Sequence, residues 1–445
     1  MPQRPAKAAD GKGKDNTMSV FEYEYMAWDS LPENAQRTAY AWDALGEPRS
    51  YSTISDANTL FDAAERARKG TAWKESVQKF WWFRLPRITV MQDHLYRLEH
   101  DLPDGYHPAP GYEFLLNERG RIRPICGQTV DDRVVSHALN DAVLLPAMRP
   151  YLIYDNAASL KDRGVDFARR RLRAHLEKYY AREGTNKGYI RLKDQSKYYD
   201  NIRHDEMRRI VRRFVSDPLG VKLTDILLDE SRADVSYMSD DEYARAMETK
   251  FDRVAYRLAG HPKTGERFLE KGMNVGDQMS QTCGIVYPWR VDGLAKTVLG
   301  SRYYARYMDD SYDMDSDLDR LRQRGRTIDE AANSIGMYTN ERKTCIARID
   351  KGFVYLQRKV RLREDGTVSF RLLPNAVVRI RRRIKKLKAK VDSGRLHVRD
   401  MENMVKSWVT ARRDCMTVKQ ERSIQETVYQ SYGRIVYEHI FNSSF

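Results

Sequence analysis

The sequence predicts an α+β fold in which short antiparallel strands carry a cluster of carboxylates, between a helical N-terminal extension and a basic helical C-terminal segment. Three observations lead there. Residues 112–125 (YEFLLNERGRIRPI) read as two short strands around a turn from Glu118 to Gly120. The paired aromatic run SRYYARYMDDSYDMD reads as a hairpin folded near Met308 and Asp309. After residue 371, VVRIRRRIKKLKAKV sets Val377, Ile380, Ile384, Leu387 and Val391 along one helical face, with arginine and lysine filling the others.

Taken in order, residues 1–17 are rich in Lys, Gly, Ala and Asp without a hydrophobic period, the composition of a disordered tail. Residues 18–105 are dense in aromatic and charged side chains, including Phe80, Trp81, Trp82 and Phe83, and are expected to form a mainly helical extension. The run DLPDGYHPAPG, residues 101–111, offers turn chemistry in place of periodicity and marks the internal boundary. Beyond the two strands, VVSHALNDAVLLPAM carries apolar residues at helical spacing. GYIRLKDQ is a further strand running up to Asp194, so Asp194, Asp309 and Asp310 gather where strands end.

A chain of 445 residues, 41% of them hydrophobic, can bury two or three packed subdomains. Its 78 lysines and arginines outweigh 63 acidic residues and give a net charge of +15. Such a charge selects a polyanion, nucleic acid ahead of an anionic membrane surface. No apolar run reaches the roughly 18 residues of a membrane span, and the N-terminus lacks the apolar core of a signal peptide. A soluble, cytoplasmic protein is expected. Cys126, Cys283, Cys345 and Cys415 stand far apart in no paired spacing, which argues against a zinc site or a disulfide framework. They should be reduced and mostly buried.

Phosphoryl transfer onto a primer hydroxyl uses two divalent cations about 3.5–4 Å apart on oxygen ligands. Asp309 and Asp310 at a hairpin tip, with Asp194 at the end of a neighbouring strand, would supply such a set. Paired acids by themselves are more often solvated turn residues, so the surrounding motifs decide.

Those motifs carry a resemblance. RYMDDSYDMD resembles the Tyr-x-Asp-Asp hairpin of reverse transcriptases, and KDQSKYYDNIRHDEM resembles their upstream metal-binding motif. NVGDQMSQTCGIVYPWRVDGL is similar to the family's Gly-x-x-x-Ser loop and helix, which pack beneath the template and the incoming nucleotide. IGMYTNERKTCI and KGFVYLQRKV resemble the Lys-bearing turn and the primer-grip hairpin, while ERGRIRPI, DDRVVSHAL and DNAASLKDRG resemble the finger strands and the helix after them. All stand in the family's order over residues 112–360.

The resemblance implies a right-hand polymerase with fingers over 106–185, a catalytic palm over 186–370 and a basic helical thumb over 371–445. It implies an RNA-directed DNA polymerase that extends a primer with dNTPs on template RNA, using two magnesium ions, with manganese as an alternative. Metal binding falls to Asp194, Asp309 and Asp310, with the backbone at Gln195 facing the metal and triphosphate. Lys343 would protonate the pyrophosphate leaving group or neutralise its charge. Tyr199 stands where the family sets a bulky side chain against the sugar 2′ position, and Tyr198 is the adjacent candidate. Arg123, Lys161 and Arg163 would clasp the triphosphate. Arg379, Arg382, Arg383 and Lys386 would follow the template–primer backbone. His204 would order the turn after Asp194 and take no part in the chemistry.

Val275 precedes Gly276 where most members have Gln, and Gln281 follows Ser280 where most have Pro. The Val-Gly-x-x-x-Ser-Gln form resembles diversity-generating retroelement enzymes, which copy an RNA with errors at adenines. Val275, Gly276, Ser280 and Gln281 would then meet the incoming nucleotide, and a side chain unable to hydrogen-bond it would read it less strictly. Two readings stay beside this one: a phage-defence reverse transcriptase making DNA from a noncoding RNA or without a template, and a maturase-like RNA-binding protein. A noncoding RNA and an accessory protein are further partners the resemblance admits.

Overall fold

The computed structural model describes residues 54–118 and 120–441. The expected tail at 1–17, residues 18–53 of the extension and residues 442–445 lie outside the described residues. From residue 54 the extension is helical as expected: α1 (Ala57–Arg68), α2 (Glu75–Trp82) and α3 (Arg84–Glu99). Asp56 caps α1, its carboxylate accepting from the Thr59 amide at 3.0 Å. The buried face of α1 is Leu60, Ala63, Ala64 and Ala67, small enough for close packing on the helix that follows the first hairpin.

That hairpin pairs β1 (Tyr112–Glu118) with β2 (Arg121–Gly127) antiparallel, and α4 (Val130–Leu139) leads out of it. Next come α5 (Val165–Glu183), β3 (Tyr189–Asp194), α6 (His204–Phe214) and α7 (Pro218–Asp229). A segment unanticipated from sequence follows, in which Ala233–Asp234 pairs with Phe268–Leu269 around a small core of Val235, Phe251, Tyr256 and Leu269. Then α8 (Gln278–Val286) precedes the acidic hairpin of β4 (Ala305–Tyr307) and β5 (Asp310–Asp315), and α9 (Leu318–Ser334) returns to β6 (Cys345–Arg348).

β3 to β6 form one antiparallel sheet in the order β4-β5-β3-β6. Its register decides what faces where. Ile190 opposes Met314, Leu192 opposes Tyr312 and Asp194 opposes Asp310, so alternation puts these six on one face. Their apolar members pack with Leu172, Leu176 and Tyr179 of α5. Arg191 and Lys193 point to the opposite face, where α9 supplies Asp329 at 2.5 and 2.8 Å from their charged ends. Burial depresses the Lys193 pKa and Asp329 counters that shift.

A second antiparallel sheet, β7 (Phe353–Tyr355), β8 (Arg358–Leu362) and β9 (Val368–Leu372), leads into α10 (Pro374–Asp392), α11 (Val398–Thr410) and α12 (Val418–Phe441). Residues 371 and 372 complete β9, and the helix begins at Pro374, whose fixed φ suits a first turn. Val377, Ile380 and Ile384 are buried against α11 and α12, with Leu387 and Val391 packed beside them, which is the face the periodicity selects. Among the described residues no helix is long and apolar enough to cross a membrane.

Candidate active site

Asp194 ends β3 directly opposite Asp310, the first residue of β5. Opposed residues of an antiparallel pair lie about 4.5–5.5 Å apart at Cα. Asp309 occupies the two-residue turn between β4 and β5, where Met308 adopts a φ of 54°. A side-chain-bearing residue in that left-handed region costs about 1–3 kcal/mol and needs support. The Gln195 amide gives some, donating to the Asp309 carbonyl at 3.1 Å and so tying the turn to the end of β3.

The Asn-x-x-Lys-Thr turn closes on Asp194 from the other side. Lys343 Nζ lies 2.7 Å from Asp194 Oδ1, Asn340 Nδ2 donates to Oδ2 at 2.8 Å, and the Asn340 amide donates to the Asp194 carbonyl at 2.8 Å. Asp194 is buried, whereas Asp309 and Asp310 are partly exposed. The side chains that converge are carboxylates, and the Gln195 backbone is tied to the same turn. Hard oxygen ligands of this kind fit magnesium or manganese, and nothing in the set favours a thiophilic ion.

Structure separates the two tyrosines. Tyr198 is buried and its hydroxyl donates to the Gly284 carbonyl of α8 at 2.6 Å. Tyr199 lies against Gly284 itself: a Cβ there would stand 2.8 Å from its hydroxyl oxygen and 3.1 Å from ring carbon Cζ. Its hydroxyl also meets Met308 Sδ at 3.9 Å. Burial raises the Tyr199 pKa, and the charge of nearby Asp309 raises it further. Tyr199 therefore stands between α8 and the acidic turn.

The hairpin is anchored below by Arg306 on β4. Its guanidinium is buried, binds Asp292 at 2.7–3.0 Å and donates to the Ile285 carbonyl at 2.5 Å. Burial opposes its charge, but Asp292 more than offsets this and raises the pKa. At the start of α8, Asp277 is buried and accepts from the Ser280 amide and from Ser136 of α4, at 3.4 and 2.5 Å. Burial pushes the Asp277 pKa up. This contact joins the helix after the first hairpin to the Gly-x-x-x-Ser loop.

The remaining expected residues are more dispersed. Gly276 has a φ of 108° and open space where a Cβ would be, Val275 is half-buried, and Ser280 is buried beside Asp277. Gln281 accepts from the Ser159 hydroxyl at 3.4 Å. Arg123 pairs across its hairpin with Glu118 at 2.7 Å. Lys161 is exposed, but Arg163 is engaged locally: its guanidinium lies 3.9 Å from the Phe167 ring centre and donates to the Tyr154 carbonyl at 2.6 Å. Arg379, Arg382, Arg383 and Lys386 are all exposed on α10.

His204 is buried, with Nε2 2.7 Å from the Gly272 carbonyl, and burial lowers its pKa to about 4. Asp229 and Glu270 lie near it, but both are ion-paired with Arg208 and Glu270 also with Arg232, so the cluster fastens α6 to residues 270–272. That agrees with an ordering role. All four cysteines are free thiols. Cys283 and Cys415 are buried as expected, Cys126 is half-buried, and Cys345 is exposed because its strand β6 has little cover.

Sequence reading missed Asn340, although it lies three residues before Lys343 in the quoted run IGMYTNERKTCI. Gly284, Asp292 and the Ser136–Asp277 contact have no local signal, since their partners are distant in the chain. The family model for reverse transcriptase (RNA-dependent DNA polymerase) matches residues 111–370, more than half of the chain and from β1 into β9. No match to the chain is found among curated proteins. The matched segment contains all three carboxylates and both halves of the clamp on Asp194, and the chain accordingly belongs to the reverse transcriptase family, as an RNA-directed DNA polymerase with the right-hand polymerase fold.

Proposed function

We propose that this chain extends a primer 3′-hydroxyl with dNTPs on an RNA template, with two divalent ions held by Asp194, Asp309, Asp310 and the Gln195 backbone. The observation that carries this reading is the convergence of a strand end and a hairpin turn on one oxygen-rich site. The family is generally divalent-metal dependent and takes template nucleic acid and dNTPs. Bound magnesium or manganese would activate the primer hydroxyl and neutralise charge on the triphosphate.

The chain's own residues do the positioning. Asn340 and Lys343 fix the Asp194 carboxylate, and the half-exposed Lys343 ammonium is the cation placed to meet a leaving pyrophosphate. Tyr199 is the wall against a ribose 2′-hydroxyl. Lys161 is an exposed cation for the triphosphate, Arg123 would exchange its Glu118 pair for it, and Arg163 fastens the loop that carries Lys161. We assign fingers to 106–185, palm to 186–370 and thumb to 371–445, with exposed Arg379, Arg382, Arg383 and Lys386 on the duplex backbone.

Within that activity we read error-prone copying of the diversity-generating retroelement type. The Val275 side chain has no hydrogen-bonding group to offer a nucleotide, and Gln281 turns its side-chain oxygen to Ser159. The test is extension of a primed RNA of defined sequence, with the DNA sequenced. Complementary DNA with errors concentrated at template adenines, reduced in Val275→Gln, supports both levels. Faithful complementary DNA leaves the polymerase and removes the subtype. Untemplated DNA points to a defence-type enzyme, and RNA binding without DNA points to a maturase-like role.

A further inference from the structure

We propose that the corner between α2 and α3 is a stacking platform for unpaired single-stranded RNA, the template strand ahead of the polymerase site. Which strand it holds rests on the polymerase reading. Its chemistry rests on the surface itself.

Residues 66–90 carry seven lysines and arginines and one acid, Glu75. The same stretch leaves large apolar side chains in water: Trp73, Trp82, Phe83 and Leu85 are 75, 82, 61 and 64% exposed. These are not the layer's core, because α2 buries Val77 and Phe80, and α3 buries Ile88, Met91, Leu95 and Leu98. Single exposed apolar residues are ordinary, but a run of them rimmed by charge marks an interaction site.

The charge and the rings are interleaved. Trp81 has the guanidiniums of Arg68 and Arg84 at 4.3 and 4.8 Å from its ring centre, and Lys74 lies 5.9 Å from that of Trp73. Arg84 also donates to the Trp81 carbonyl at 2.9 Å, which holds its cation beside the ring. Arg66 and Arg87 pair with Asp141 and Asp131 at 2.6 Å, fastening the layer down, while Lys69, Lys74 and Arg84 have no acidic partner among the described residues. Aromatic faces among cations are what an unpaired strand requires: each base has a π-face to stack, and each phosphate a charge to neutralise. Trp73 precedes α2 by two residues and Trp82 ends it, so the pair spans at least the length of this eight-residue helix. That is about 12 Å, or three to four base steps at about 3.4 Å.

The platform also has a fixed relation to the catalytic loop. α1 packs on α4, and Ser136 of α4 donates to Asp277 at the start of α8 at 2.5 Å. The basic face of α10 belongs to a separate core. A strand on the α2–α3 corner is thus held by the body that carries the nucleotide loop.

The test compares affinities for one primer–template duplex carrying either a long or a short unpaired 5′ uridine extension, in wild type and in Trp82→Ala/Phe83→Ala. Both residues are exposed, so their removal leaves the core intact. Wild type should prefer the long extension by about tenfold or more, a ratio typical of base–aromatic stacking. The variant should lose that preference while extending the short-overhang substrate at the wild-type rate. Equal preference in the two proteins would overturn the proposal. So would an unchanged preference accompanied by loss of self-association in sedimentation, which would assign the patch to a second copy of the chain. Loss of preference in a protein that makes no DNA would sink the polymerase reading and leave the platform standing.

Discussion

A methyl group at position 284 would come within 2.8 Å of the Tyr199 hydroxyl and 3.1 Å of its ring, and the ring cannot fold aside as a flexible chain would. Gly284→Ala should therefore displace Tyr199 from its seat between α8 and Met308, and lower the efficiency of dNTP incorporation by about tenfold. Tyr199→Val should instead admit ribonucleotides, raising rNTP over dNTP use by about ten- to a hundredfold. Single-nucleotide incorporation of matched dNTP and rNTP checks both, and unchanged ratios in Tyr199→Val would remove the wall assignment. At this scale the sequence was legible where chemistry is local. Asp194, Asp309, Asp310 and Lys343 sit in short strings whose residue types suit one task. The sequence preferred Tyr199 to Tyr198 by position alone, and the physical difference between them lies at a glycine far along the chain, which Tyr199 faces with its ring and Tyr198 binds at its carbonyl.

Among the elements, the acidic hairpin depends on a buried ion pair. Asp292→Ala would leave the Arg306 guanidinium buried without its carboxylate, and should cost about 3–5 kcal/mol in denaturant unfolding. A loss within experimental error would show that the hairpin is held elsewhere. His204 at the start of α6 gives a pH dependence. Burial holds its folded pKa near 4, below the ordinary 6.5, so the unfolded chain takes up the proton first. Its contribution to stability is complete above 6.5 and is lost as pH falls toward about 4. His204→Gln should flatten the stability profile across that window, and an unchanged profile would contradict the assignment. The strands and α10 were readable because alternation and a 3.6-residue period survive in their sequences. The segment from residue 230 to 272 was not, since its two-residue strands and short helices leave no period to read and its small core forms only in three dimensions.

Across the whole molecule, one palm-like sheet gathers the carboxylates while basic surfaces flank it in sequence at the α2–α3 corner and on α10. The net charge announced a polyanion, the period of α10 separated its basic faces from its apolar one, and the fold buries the apolar face while leaving Arg379, Arg382, Arg383 and Lys386 exposed. Arg382→Ala/Arg383→Ala should reduce the slope of log affinity against log salt for primer–template by about 1–2. An identical slope would make that face merely solvated. The most direct measurement is primer extension on RNA by Asp310→Asn beside wild type, with thermal unfolding recorded for both. The expected result is a folded variant slowed by about a thousandfold or more, the rate equivalent of roughly 4 kcal/mol of lost charge stabilisation. A folded Asp310→Asn protein that extends the primer at the wild-type rate would contradict the assignment of these carboxylates as the catalytic centre.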